Sequence, residues 1–263
     1  MSTKYILITG ASTGIGYEMA RLLAAQKYNL ILVARSLQKL SAAKAKLESL
    51  NGVSIKIFQK DLATVDGAQS LYHELKAQNL KVNMLINNAG SGVYGNFTDT
   101  DLDEELKMIQ LNIGSVVTLT KLCLQDMLIQ KEGKIMNVAS LLSFLPFPYY
   151  TVYSATKSFI LSFSETLAAE LDGSGITVTT LCPGPVDTGF NTEAMWNTNA
   201  YKANQPINAA VVARYGVNLL LNGRGKKIVG FNNWFISNLP RVTPDRLMMK
   251  IKKNLASQRT QRK

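Results

Sequence analysis

An α/β fold, a doubly wound parallel sheet with helices on both faces, is what this sequence predicts, and three observations carry the prediction. Short apolar runs with strand character recur through the chain. Longer stretches with helical apolar spacing separate them. A glycine-rich turn stands between the first strand and the first helix, as in units that bind dinucleotides. At 263 residues the chain has the length of one such domain, large enough to bury a sizeable core, and 46% apolar with 18% charged residues is an ordinary globular balance.

The elements follow in order. Residues 4–9, KYILIT, read as a buried strand. Gly10-Ala-Ser-Thr-Gly14-Ile-Gly16 follows, then a helical pattern over 17–27. In this Rossmann-type layout Gly10 permits the tight turn, Gly14 lets backbone N–H groups approach a pyrophosphate, and Gly16 lets helix and strand pack closely. The helix N-terminus supplies unpaired donors and a positive dipole. The spacing is Gly-x-x-x-Gly-x-Gly, not the commoner Gly-x-Gly-x-x-Gly. Further strands are expected at 29–34, 53–59, 82–87, 134–140, 176–182 and 226–230, and helices near 38–50, 64–79, 101–130, 152–171 and 207–221. Such alternation argues a parallel sheet. Ligands in these sheets bind beyond the carboxyl ends of the strands. Gly10, Arg35, Asp61, Asn87, Ser140 and Pro183 all fall at or just after a predicted strand end.

Arg35 speaks to the cofactor. An acidic residue at the end of the second strand binds the ribose 2′-hydroxyl of NAD and repels a 2′-phosphate. Here the strand ends Val33-Ala34-Arg35-Ser36, with a guanidinium suited to phosphate and a hydroxyl beside it. The reading is NADP(H) in preference to NAD(H), against the plainer alternative of a solvated arginine.

Tyr153 and Lys157 are four apart, hence on one face of a helix. An ammonium beside a phenol favours the phenolate, so the pair is read as an acid–base device with Ser140 bonding the same substrate oxygen. By itself the spacing is common in helices. The glycine turn gives it meaning.

Thr-Gly-Ala-Ser-Thr-Gly-Ile-Gly (9–16), Asn-Asn-Ala-Gly (87–90), Asn112, Ser140, Tyr153-x-x-x-Lys157 and Pro183-Gly184 stand in one order and at spacings that resemble the short-chain dehydrogenase/reductase family, in its short single-domain branch. The resemblance implies a strand order of 3-2-1-4-5-6-7 and a catalytic set of Asn112, Ser140, Tyr153 and Lys157. Tyr153 would be the general acid or base. Lys157 would tune it and bond the cofactor ribose, Ser140 would hold the carbonyl oxygen, and Asn112 would hold a relay water. It also implies cofactor contacts from Gly10, Ser12, Thr13, Gly14, Ile15 and Gly16, from Arg35 and Ser36, and from Asp61 and Leu62 at the adenine. Asn87, Ala89 and Gly90 would lie along the ribose, and Pro183, Gly184, Val186 and Thr188 at the carboxamide. Family members pair through the two long helices, so a homodimer or homotetramer is expected.

For the substrate, Leu142 and Phe144 after Ser140, and Phe190 and Trp196 in a lid over 189–206, make an apolar wall. The expected activity is NADPH-dependent carbonyl reduction, or its reverse, on an apolar ketone or secondary alcohol. A 3-oxoacyl thioester reductase is the alternative within the class, and a non-catalytic NADP(H) sensor the alternative outside it. The whole chain, 1–263, is read as one domain.

Net charge is +11, and residues 241–263 hold eight Lys/Arg and one Asp, +7 of it. This segment has helical apolar spacing and is read as a docked helix with a solvated basic end; weak contact with an anionic surface is the alternative. It lacks the aromatic interleaving of a nucleic-acid site, so no nucleic-acid partner is expected. Nor is a metal, since the two cysteines show no ligand spacing and read as buried thiols. The first strand starts so early, and the charge-free window 135–156 is so broken by proline, that neither a signal peptide nor a transmembrane span is expected; a cytoplasmic location follows.

Overall fold

A computed structural model describes residues 4–241 and 243–258. Its strands are β1 (Lys4–Thr9), β2 (Asn29–Ala34), β3 (Ile55–Gln59), β4 (Lys81–Asn87), β5 (Gly133–Val138), β6 (Ile176–Cys182), β7 (Val186–Asp187), β8 (Ile207–Asn208) and β9 (Gly225–Ile228). Seven of them form one parallel sheet in the order β3-β2-β1-β4-β5-β6-β9. This is the expected order, the last strand of the sheet being β9. The helices are α1 (Gly14–Ala25), α2 (Leu37–Asn51), α3 (Gly67–Ala77), α4 (Leu102–Ile109), α5 (Ser115–Gln130), α6 (Thr151–Glu170), α7 (Glu193–Trp196), α8 (Asn199–Ala203), α9 (Ala209–Asn222), α10 (Phe231–Asn238) and α11 (Asp245–Ala256).

The central strands are continuous apolar runs because both faces of the sheet are covered. Ile6, Ile8, Leu30 and Leu32 face α1, α2 and α9 in one core layer. Their alternates Leu7, Ile31 and Val33 face α3 and α5 in the other. All seven side chains are essentially inaccessible to solvent. Both cysteines, Cys123 and Cys182, are buried and unpaired.

Two features depart from the sequence reading. The long helix expected over 101–130 is two helices joined by a π turn, Gln110–Gly114, in which Ser115 N–H bonds Gln110 O five residues back. Such turns tend to mark functional sites, and this one contains Asn112. The segment 189–206 is closed at its base by the parallel pair β7–β8, Val186 opposite Ile207 and Asp187 opposite Asn208. As the sequence reading expected, α11 docks on the domain. Tyr94 Oη donates to Ala256 O (2.7 Å), Asn199 N–H to Ser257 O (3.1 Å) and Asn199 Nδ2 to Asn254 O (3.0 Å), and Met248 and Ala256 are buried. The basic end at 259–263 lies outside the described residues. Among the described residues, no helix is long and apolar enough to cross a membrane, and no group of acidic, His or Cys side chains is placed to hold a metal.

Candidate active site

One cavity of about 570 Å³ runs across the carboxyl ends of the strands, from Arg35 to Leu255. At its middle lies the glycine turn. Gly10 (φ +64°) and Gly14 (φ +58°) hold left-handed backbone that favours glycine. A Cβ on Gly16 would meet Gly10 O at 2.4 Å, so helix and turn touch backbone to backbone. Thr13 is the N-cap of α1, yet its side chain accepts no bond from the helix, and the first turn holds no acid. The N–H groups of that turn are therefore left for an anion. Ser12, Thr13 and Ile15 line the cavity there.

The Arg35 end is basic. Arg35, Lys39 and Lys60 line it, with Asp61 the one carboxylate among the lining residues. Ser36 caps α2 by accepting from Lys39 N–H (3.3 Å), which leaves its own proton to donate and sets a second helix N-terminus beside Arg35. Lys60 is also held by Ser70 (3.0 Å) and Glu74. Leu62, Ala89, Gly90, Pro183, Gly184, Val186 and Thr188 all face the cavity. A phosphate cradle, a basic end and an apolar slot in one cleft fit a nicotinamide dinucleotide, whose reactive ring would lie toward Tyr153.

That far end is built around Ser140, Tyr153 and Lys157, all buried and all on the cavity wall. Ser140 N-caps a short turn, Leu141–Phe144, and its Oγ accepts from Leu142 N–H (3.1 Å). The Ser140 hydroxyl keeps its own proton to donate toward the Tyr153 phenol. Burial pushes Tyr153 up to about 12, against the Ser140 hydrogen bond, which pulls it down. Burial brings Lys157 down to about 8 from its ordinary 10.5. Lys157 Nζ donates to Val138 O (3.0 Å) and lies 5.8 Å from the centre of the Tyr153 ring. The ammonium was expected to lower the tyrosine; here burial is the dominant cause and raises it, and each group is driven toward its neutral form.

Gly16, expected to contact the cofactor, is not on the cavity wall and packs against Gly10 instead, and four further expected site residues are placed differently. The Asn87 side chain turns away from the cleft into a buried network, donating to Thr120 Oγ1 (3.0 Å) and Asn137 Oδ1 (2.9 Å). Its neighbour Asn88 reaches the cleft and braces the glycine turn by donating to Thr9 O (2.9 Å) and Gly10 O (3.2 Å). The Asn112 carboxamide is a strut: it accepts from Ser91 N–H (3.1 Å) and donates to Ser91 O (2.9 Å) and Thr156 Oγ1 (3.1 Å), so its polar atoms serve the frame around Lys157. Phe144 packs beside Val116 and Ile160, with Lys226 Nζ 5.7 Å over its ring, away from the cavity. Trp196 packs on Tyr201 (4.9 Å between ring centres), and the neighbouring Met195 takes the wall position.

Leu142 and Phe190 do line the cavity, the Phe190 ring 5.8 Å from that of Tyr153. The sequence reading missed Tyr150, Tyr201, Ile236 and Leu255, which complete the wall. Tyr201 Oη is held by Asn191, whose Nδ2 donates to Val186 O (2.9 Å). The surroundings at this end are leucine, phenylalanine, methionine and tyrosine, with hydroxyls at a few points.

Fold and cleft together define a Rossmann-type α/β protein with a buried Ser–Tyr–Lys cluster at one end of the cleft that carries the glycine turn. The chain belongs to the short-chain dehydrogenase family, whose sequence model matches residues 4–198. It is 33% identical to human (Homo sapiens) 17-beta-hydroxysteroid dehydrogenase type 3 over 192 residues, 71% of this chain and 60% of that enzyme, so the match spans about three fifths of that relative's length. It is 32% identical to the very-long-chain 3-oxoacyl-CoA reductase of Anas platyrhynchos over 257 residues, 95% of this chain and 80% of that one. Among solved structures, a short-chain dehydrogenase from Sphingobium yanoikuyae in complex with NADPH superposes with a TM-score of 0.78 at 26% identity, covering 99% of this chain and 100% of that one.

Proposed function

We propose that the protein is an NADPH-dependent reductase of an apolar ketone, running in reverse as a secondary-alcohol dehydrogenase. The observation that carries this reading is the convergence of Ser140, Tyr153 and Lys157 on an apolar wall of the same cavity that holds the glycine turn. The nicotinamide, when bound, supplies the hydride. The chain does the rest. Ser140 and Tyr153 donate to the substrate oxygen and stabilise the charge that develops there, and Tyr153 passes its proton to it. The buried Lys157 ammonium holds that end of the site positive. Leu142, Phe190, Met195 and Tyr201 exclude water and orient the substrate.

The Anas platyrhynchos relative, similar along 95% of this chain, supports a 3-oxoacyl thioester as the second reading. A non-catalytic sensor has no use for a positioned Ser–Tyr–Lys cluster. The test is NADPH oxidation against a panel of ketones, hydroxysteroid precursors and 3-oxoacyl thioesters, with Tyr153→Phe as control. A Tyr153-dependent signal supports the reductase and ranks the substrates. Silence across the panel with NADPH still bound would favour the sensor.

The preference for NADP(H) rests on Arg35, Lys39 and Lys60 around the Arg35 end. Arg35→Asp is expected to weaken NADPH binding by about 10²-fold, removing a charge-assisted phosphate contact and adding a like charge, while NADH binding changes little. An unchanged NADPH/NADH ratio would remove Arg35 from the cofactor argument. Self-association is proposed through the outer face of α6, where Phe159 is 41% exposed and stacks on Phe163.

A further inference from the structure

The outer faces of the last two helices carry side chains that the fold and the cavity do not use. In α10, Phe231, Trp234 and Phe235 are 78%, 52% and 55% exposed. Their i, i+3, i+4 spacing puts them on one face, and the Phe231 and Trp234 rings stack at 5.8 Å. The helix holds no charged residue. Its inner face is fixed: Asn233 and Ser237 are buried and Ile236 lines the cavity. In α11, Met248, Lys252 and Ala256 face inward, while Leu247 and Ile251, one turn apart, are 52% and 44% exposed. Arg246, Lys250 and Lys253 surround those two, all exposed.

We propose that α10 and α11 form a docking surface for an anionic phospholipid bilayer. Tryptophan and phenylalanine on an uncharged helix face suit the headgroup–acyl boundary. The cations of α11 complement lipid phosphate, and the segment 241–263 holds +7 of the chain's +11. An apolar ridge set among like-charged cations suits a lipid surface, which accepts both at once, better than the mirror image of itself on a second copy, where the cations would face each other.

The surface has a direct relation to the cavity. The two helices that expose these residues also send Ile236 and Leu255 into the cavity wall. The proposed lipid-facing side and the cavity wall are therefore opposite faces of the same two helices. The docking claim itself does not depend on which reaction is catalysed, and its test contains no substrate.

The full chain is sedimented with vesicles of phosphatidylcholine alone and of phosphatidylcholine with phosphatidylserine. Co-sedimentation with the anionic vesicles, reversed by added salt, is expected. In a Trp196→Phe background, the Trp234 emission should shift to the blue on binding. Two variants separate the contributions: Phe231→Ser/Trp234→Ser/Phe235→Ser and Lys250→Glu/Lys253→Glu. Each should weaken vesicle binding by about tenfold or more, the second because each cation near the surface contributes measurably. Melting temperature and NADPH binding should be unchanged. The charge-reversal variant keeps the test intact if the aromatic one fails to fold. No binding by the unaltered protein, or binding by both variants as strong as that of the unaltered protein, overturns the proposal. So does an aromatic variant that binds vesicles normally but sediments as a smaller assembly, which would assign the face to a second copy of the chain.

Discussion

Tyr153→Phe is expected to lower ketone reduction by about 10²–10⁴-fold, the range for loss of a positioned general acid, with NADPH binding intact. The change removes one oxygen and keeps the ring, with its contacts to Phe190 (5.8 Å) and Tyr150 (6.2 Å between centres). What disappears is the proton donor and the partner of the Ser140 hydroxyl. A phenol held at about 12 is protonated throughout the ordinary pH range, which suits a donor. In the oxidation direction the same residue must first lose that proton, and burial opposes this. Oxidation should therefore be slow near neutrality and quicken as pH rises. Reduction should also fall as pH rises through about 8, where Lys157 gives up its charge. A Phe variant that retains activity, or a reduction rate flat well above pH 8, would remove Tyr153 or the Lys157 charge from the mechanism.

The sheet was legible because its strands are buried on both faces and read as unbroken apolar runs, as in Leu30–Val33. The glycine turn, Ser140, Tyr153 and Lys157 were legible because each lies in a short local motif. Other features depend on geometry that no period in the sequence sets. Asn87 and Asn88 differ by one position at the end of β4, and successive side chains there point opposite ways; the motif names both and the sheet decides which enters the cleft. Phe144 and Trp196 sit in single-turn elements, where nothing local tells inside from outside. The β7–β8 pair has two residues per strand, too few for a pattern. The π turn was hidden because weak helix formers such as Asn112 and Gly114 do not tell a π turn from an α-helix; within it Asn112 bridges Ser91 and Thr156, two distant parts of the chain. Leu255 enters the cavity because α11 packs on α8, with Tyr94 bonded to Ala256 across 162 positions of sequence.

Lys157→Met is expected to separate function from stability. Turnover should fall by at least about 10²-fold, because the site loses the one charge at its reacting end. Stability at neutral pH should hold or rise. A lysine displaced from 10.5 to about 8 carries a cost of about 3 kcal/mol for being charged where it is. Methionine keeps most of the apolar stem without the charge. Against that gain, Val138 O loses the Nζ donor (3.0 Å), and an unsatisfied buried carbonyl costs about 1–3 kcal/mol. The balance is a gain of about 0–2 kcal/mol, at most a few degrees in melting temperature for a domain of this size. The pH dependence fixes the sign. With the folded pKa below the unfolded one, the unfolded chain binds the extra proton between about pH 8 and 10.5, so wild-type stability from this group rises over that window. The Met variant has no such rise. Its advantage should therefore be largest below pH 8 and shrink toward pH 10. Above that, Tyr153, raised from 10 to about 12, works the other way in both proteins and lowers stability as pH climbs. Thermal melts of the two proteins across this range decide the matter. A variant markedly less stable at neutral pH, with a gap that does not change with pH, would mean that the Lys157–Val138 bond outweighs the burial of the charge, and that the ammonium is held here for the fold as much as for the chemistry.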